Sequence, residues 1–196
     1  MCGIAGLIHR GRASNVGNEM TSMLQALKHR GPDSTGYAVY SEGVSNEFVM
    51  RIKVAEAEDM ASGRGIFAEL AKRIAEIDSI LKENGVTVKA KKNATEYALR
   101  YVIEYKGDMG KLASHLEEVT GTEILSIGNG LELIKDLGDA SDVSNAYNLD
   151  KFKGTHGIGH TRMATESDVD IRSAHPYWAF PYNDVSVVHN GQITNY

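Results

Sequence analysis

The sequence predicts an α+β fold, and three observations carry that expectation. The opening segment Cys2 to Ile8 is small and apolar, as a buried strand would be. Met20, Met23, Leu24 and Leu27 then recur at helical spacing. Further along, a strand-helix-strand-helix succession looks like a small α+β insert with its own apolar face.

Taken in order, the first helix is expected to be capped by Asn18 and to stop near Gly31-Pro32, because proline disfavours helical geometry in the residue before it. Tyr37-Ala38-Val39-Tyr40 and Phe48 to Ile52 read as a hairpin around Ser41-Glu42-Gly43. From Val54 to Asn84 the pattern is helical, with Phe67, Leu70, Ile74, Ile77, Ile80 and Leu81 on one broad face. Tyr97 to Tyr105 alternates, Met109 to Val119 is helical, Glu123 to Ile127 is extended, and Leu131 to Leu137 reads as helix. Residues 54–152 are expected to form an α+β insert between two parts of one domain, 1–53 and 153–196. After Gly154, Gly157 to Thr165 begins as a glycine-containing strand, and Asp184 to Gly191 is a strand running into an Asn-Gly turn.

The 196 residues are 42% hydrophobic and 24% charged, enough for one core-bearing domain or a domain plus an insert. A formal net charge of −5, with no basic stripe interleaved with aromatics, argues against nucleic acid as a partner. No apolar run approaches the roughly 20 residues of a membrane span, and no charged region precedes the first apolar stretch as in a signal peptide. The single cysteine fits a reducing compartment, so a cytoplasmic location is expected and Asn93-Ala94-Thr95 is read as a chance acceptor triplet.

Cys2 is the first candidate for chemistry. A thiol needs a nearby base or positive charge to act as thiolate. Removal of Met1 would supply one, since the exposed α-amine can take the thiol proton and return it to a leaving amine. Taken alone, position 2 favours an ordinary buried cysteine. The other strings reverse that balance. Met1-Cys2-Gly3-Ile4-Ala5-Gly6, His29-Arg30-Gly31-Pro32-Asp33-Ser34-Thr35-Gly36, His160-Thr161-Arg162-Met163-Ala164-Thr165 and His189-Asn190-Gly191-Gln192-Ile193 occur in this order. Together they resemble the class II glutamine amidotransferases, of the N-terminal-nucleophile hydrolase superfamily. The resemblance covers roughly residues 1–50 and 154–196. Within the family it is most similar to the amidotransferase subunit of the glutamate-synthase and N-methylglutamate-synthase-like group, on Thr161 to Ser167, Ala174-His175-Pro176-Tyr177-Trp178 and the long insert. Met163 and Glu166 depart from the pattern of amidophosphoribosyltransferases and glucosamine-phosphate synthases.

The resemblance implies a four-layer α/β/β/α sandwich and hydrolysis of glutamine to glutamate through a γ-glutamyl thioester on Cys2. It implies that Arg162 clamps the substrate α-carboxylate with Thr165 beside it, and that Asn190 and Gly191 form the oxyanion hole. Each has a plainer reading: a salt-bridged strand-end arginine, a β-branched strand residue, and a common hairpin turn. Arg30 and Asp33 are expected to support the wall of the site, and Asp33 could equally belong to a purely structural loop. His160 is placed in the same supporting role. His156 and His160 have a metal-like spacing on a helix, but Gly157 and Gly159 argue for a strand, where that geometry fails. His175 and His189 are expected as outer groups or core, and Gly128-Asn129-Gly130 as a turn without a phosphate-loop lysine.

No cofactor is expected in this chain, which shows no dinucleotide, flavin or iron–sulfur signature. Ammonia would pass to synthase subunits, so a hetero-oligomer is expected. Two competing readings stand beside this one: a non-catalytic glutamine-binding or assembly subunit, and the amidotransferase domain of another class II enzyme such as an amidophosphoribosyltransferase. The family continues past its Asn-Gly turn and carries there an acidic residue that grips the substrate amine. The domain is therefore expected to be completed by further chain or by a second polypeptide.

Overall fold

The computed structural model describes residues 2–55, 59–60, 65–164 and 170–190. It is an α+β arrangement built on two four-stranded antiparallel sheets and a small two-stranded ribbon. The elements are β1 (Gly3–Ile8), α1 (Val16–Ala26), β2 (Ser34–Tyr40), β3 (Glu47–Lys53), α2 (Ile66–Glu83), β4 (Thr87–Asn93), β5 (Ala98–Glu104), α3 (Met109–Glu117), β6 (Glu123–Gly128), β7 (Leu131–Leu137), α4 (Ala140–Tyr147), β8 (His156–Arg162), β9 (Tyr177–Trp178) and β10 (Ser186–Val187).

The first sheet runs β1-β8-β2-β7 and the second β4-β5-β3-β6, while β9 and β10 form the ribbon. Alternation sorts the side chains of the first sheet. Tyr37, Val39 and Ile134 face α1 and α4, where they join Val16, Met20, Leu24, Val143 and Leu149 in one core. The second core lies between the second sheet and α2 and α3, and includes Met50, Ile52, Leu70, Ile77, Leu99, Tyr101, Ile103, Leu112, Leu116 and Ile127. Each helix pair thus covers one sheet.

The other face of the second sheet is charged. Arg51, Lys53 and Arg100 project toward β7, where Glu132 takes hydrogen bonds at 2.8 Å from both Arg51 and Arg100. Lys53 and Lys135 flank Glu123 at 2.9 and 3.1 Å. The Leu133 N–H donates to Ser126 Oγ, 3.0 Å away, so a backbone donor of β7 finds its partner on the second sheet. Burial pushes the Glu132 carboxyl up, but the hydrogen bond from Arg100 and the charge of Arg51 overcome that and hold it below its usual range. Burial draws the Lys135 ammonium down despite Glu123 beside it.

Several expectations are corrected. Segments 37–40 and 48–52 are not a hairpin, because β2 pairs with β7 and β8 while β3 pairs with β5 and β6. Leu131 to Leu137 is a strand, not a helix. Both of its faces are covered, so its apolar residues do not alternate with exposed polar ones and its charged residues sit in buried pairs. The first helix begins earlier than expected: Asn15, not Asn18, holds the cap position, and Gly17 docks by donating its N–H to Phe152 O at 3.2 Å. Of the helical pattern expected from Val54 to Asn84, Ile66–Glu83 forms one helix with Phe67 64% exposed, while 56–58 and 61–64 lie outside the described residues. Of the strand expected over 184–191, only Ser186 and Val187 pair among the described residues, and Gly191 lies outside them.

Three elements are not anticipated in the sequence: β4, α4 and the two-residue strand β9. The edge strand β4 is exposed along its length and carries three lysines, the usual protection of an open sheet edge, so it has no apolar face to betray it. Helix α4 is short and polar, and starts with a capping box between Asp139 and Asp142. Both sheets draw strands across the boundaries expected at 53 and 153: β7 sits beside β2, and β3 lies inside the second sheet.

Candidate active site

The first sheet places the candidate residues on the face turned away from α1. Gly3 pairs with Thr161 and Ser34 pairs with Arg162, on either side of β8. One residue beyond the β1 ladder, Cys2 reaches the level of Arg162. Cys2, Arg162 and Ser34 thus lie in one row across three strands, with Arg162 in the middle. Two strand spacings put about 10 Å between the ends of the row. In the next row Ile4, His160 and Gly36 stand side by side.

The 28–33 segment closes this end of the sheet. Arg30 Nε donates to the Cys2 carbonyl, 3.3 Å away, fixing the backbone that carries the thiol. The Asp33 N–H donates to the Arg162 carbonyl at 3.1 Å, and Asp33 Oδ2 accepts from the Ala164 N–H at 2.7 Å. Asp33 O accepts from the Gly138 N–H at 3.0 Å. Arg162 itself is only 7% exposed, held at the end of β8.

Over the second row lies the segment 174–178. His175 O would be 2.0 Å from a Cβ at position 36, so only glycine in β2 admits this backbone. The His175 ring then stacks at a tilt on His160, with centroids 4.7 Å apart, and meets Tyr177 edge-on at 4.5 Å. Behind Tyr177 stands the Lys135 ammonium, 5.0 Å from its ring centroid. The His189 N–H donates to His175 Nδ1 at 3.3 Å, which assigns the remaining ring proton of neutral His175 to Nε2. Asn190 follows directly, exposed at the end of the described segment.

Both buried histidines are neutral at neutral pH. Burial lowers His160 to about 4, with the Arg162 charge adding to the effect. Burial lowers His175 to about 3, reinforced by His160, Lys135, His189 and Arg162. Among the described residues, the ring nitrogens of His160 and the hydroxyl of Ser34 are buried without a hydrogen-bond partner, although the His189 backbone faces the His160 ring.

The structure therefore brings Cys2, Arg30, Asp33, His160 and Arg162 to one end of one sheet, with Asn190 tied to that end through His189 and His175. Thr165 and Gly191 lie outside the described residues. His156 and His160 project from the same side of β8, but His156 stacks on Tyr40 at 4.1 Å instead of joining His160. Among the described residues, no group of three or more His, Cys, Asp or Glu side chains is gathered as a metal site. No helix among them is long and apolar enough to cross a membrane. Sequence reading passed over Ser34, though it stands within the second string, and over Gly36, whose small size is needed only because of a contact 139 positions away in the chain.

No family model matches the chain. Curated proteins do. A protein of Methanothermobacter thermautotrophicus named "Putative glutamine amidotransferase" is 36% identical over 199 residues, covering 100% of this chain and 63% of the relative. The "Glutamine amidotransferase-like protein GlxB" of Rhizobium meliloti is 30% identical over 198 residues, covering 100% of this chain and 60% of the relative. An amidophosphoribosyltransferase of M. thermautotrophicus is 31% identical over 100 residues, 50% of this chain and 19% of that protein. The chain thus spans about 60% of the length of the two relatives it matches throughout. From end to end it is similar to proteins named as glutamine amidotransferases, and over part of its length to an amidophosphoribosyltransferase.

Proposed function

We propose that this chain carries the active site of a class II glutamine amidotransferase and that Cys2 is its nucleophile. The observation that carries the reading is the row Cys2–Arg162 on one face of the first sheet, with the Asn190 segment tethered over the neighbouring row. Arg162 clamps the α-carboxylate of glutamine through paired hydrogen bonds, and the Thr165 hydroxyl adds to that grip. The side-chain amide then reaches toward Cys2. Once Met1 is removed, the α-amine of Cys2 accepts the thiol proton as Sγ bonds to the amide carbon. The Asn190 side chain and the Gly191 N–H hold the oxyanion. The amine returns the proton to the departing nitrogen, ammonia leaves, and water cleaves the γ-glutamyl thioester to glutamate and free thiol.

The two helix-covered sheets support the four-layer α/β/β/α sandwich of N-terminal-nucleophile hydrolases. Thr161 to Ser167 and Ala174 to Trp178 support placement in the glutamate-synthase-like group, with ammonia delivered to a synthase partner in a cytoplasmic hetero-oligomer. Neutral His160 and His175 fit this chemistry, because neither adds a positive charge that would compete with Arg162 for the carboxylate.

The test is glutamine hydrolysis by the protein together with its partners, combined with the intact mass of the native chain. Cys2→Ser should abolish release of glutamate, and the native mass should lack Met1. Full activity in the Cys2→Ser protein would refute the mechanism. A native chain that retains Met1 and binds glutamine without turnover would establish a binding subunit instead.

A further inference from the structure

We infer that Asp184 is a positioning residue for the oxyanion donor, acting as an internal anion in a backbone nest at Gly128-Asn129-Gly130; the inference rests on the reading of Asn190 given above. Three successive amides converge on its carboxylate. The Gly130 and Leu131 N–H groups donate to Oδ1 at 2.8 and 2.7 Å, and the Asn129 N–H donates to Oδ2 at 3.2 Å. Successive backbone N–H groups in a turn form the kind of concavity that binds phosphate or carboxylate in other settings. Here the glycine pair has no phosphate-loop lysine, and the occupant is supplied by the chain itself. A Cβ at position 128 would stand 2.7 Å from Asp184 Oδ1, so glycine there admits the carboxylate.

The nest is itself fixed. Asn129 Nδ2 donates to Glu47 O at 2.7 Å, and the Ser41 N–H donates to Gly130 O at 2.9 Å. It forms the crossing between β6 of one sheet and β7 of the other. Asp184 adopts a left-handed conformation with φ of 58°, which aims its short side chain back at the turn. From this anchor the chain runs outward through further ties. Tyr40 Oη and Ser186 Oγ share a hydrogen bond of 2.7 Å, Ser186 and Val187 pair with Trp178 and Tyr177, and the His189 N–H reaches His175. Asn190 is the next residue. The ribbon contributes only two residues per strand, so these side-chain ties set where Asn190 stands relative to Cys2.

The test uses the protein with its partners, glutamine as substrate and formate as a free carboxylate probe. Asp184→Gly keeps the backbone conformation accessible while emptying the nest. It should lower kcat by roughly 10- to 100-fold with KM for glutamine nearly unchanged, as expected for a misplaced transition-state donor. Formate should restore part of that kcat, whereas chloride at equal ionic strength should not. Hydrogen exchange at the Val187 and His189 amides should quicken in the variant and slow again with formate. An unchanged kcat, or a loss that formate leaves untouched, would overturn the inference. If Asp184→Gly does not fold, Tyr40→Phe releases the same segment at Ser186 and must lower kcat with KM held; unchanged kcat there counts against it equally. If the native protein turns over no glutamine, the proposed function fails on its own. The nest is then judged by amide exchange in Asp184→Asn, where unaltered exchange at Val187 and His189 refutes the tether.

Discussion

Asp33 grips the Arg162 end of β8 from two sides, its N–H bonded to the Arg162 carbonyl at 3.1 Å and its carboxylate to the Ala164 N–H at 2.7 Å. The pair of bonds holds the strand end from which the guanidinium projects. Asp33→Ala removes the carboxylate and leaves the Ala164 N–H without its partner. A hydrogen bond to a charged group contributes roughly 1.5–3 kcal/mol, so KM for glutamine should rise by about 10- to 100-fold. The loss should fall on KM more than on kcat, because a carboxylate clamp of the kind proposed for Arg162 grips substrate and transition state alike. Asp33→Asn keeps an acceptor oxygen and should recover part of the affinity. Steady-state kinetics of both variants decide the matter.

The histidines set an acid limit on stability. His160 and His175 are 1% and 4% exposed and are lowered to about 4 and about 3 by burial. In the unfolded chain a histidine titrates near 6.5. Above that pH neither state is protonated and the two groups contribute no pH dependence. As pH falls below about 6.5 the unfolded chain takes up protons that the folded chain refuses, so stability declines until the folded values are reached. His160 alone should account for a loss on the order of 3 kcal/mol between pH 7 and pH 4. Urea unfolding of His160→Gln across that range should show a flatter dependence than the native protein.

The candidate site was easier to pick out in the sequence than the frame around it. Cys2, Arg162 and Asn190 stand in short strings that can be picked out locally, and Arg30 and Asp33 fall in a Gly/Pro loop that turns back beside Cys2. What eluded reading depends on partners distant in sequence. Glu132 and Lys135 resemble surface charges until Arg51, Arg100 and Glu123 arrive from other strands. The strand that carries them has two covered faces, so periodicity could not separate it from a helix. Asp184 has the same history: a polar residue before a strand, meaningful only once the Gly128–Gly130 turn is folded against it.

The cap of α4 offers a test of local stability away from the site. The Asp139 carboxylate accepts from the Ser141 and Asp142 N–H groups at 2.9 and 3.0 Å, and Lys28 binds it at 2.6 Å. Lys28 leads the effects that lower its carboxyl to about 2. Asp139→Ala should cost about 1 kcal/mol, as cap deletions do. Lys28→Ala should cost less, because that ammonium is half exposed and its attraction is screened by solvent. Thermal unfolding of the two variants should rank them in that order, with glutamine turnover unaffected.

The buried charges between the sheets make the strongest stability prediction. Glu132 is ion-paired with two guanidinium groups at once, and its own side chain is 5% exposed. Removing the carboxylate by Glu132→Gln strands Arg51, which is equally buried, beside Arg100 with no anion between them. Breaking such a pair from one side destabilises by roughly 3–5 kcal/mol, more than the pair contributes relative to an apolar replacement. The double substitution Arg51→Met with Glu132→Leu should therefore be more stable than Glu132→Gln alone, despite losing more charge. Denaturant titration of the single and double variants separates the two accounts. If Glu132→Gln unfolds at the native midpoint, the cluster is hydrated and contributes nothing to joining the sheets.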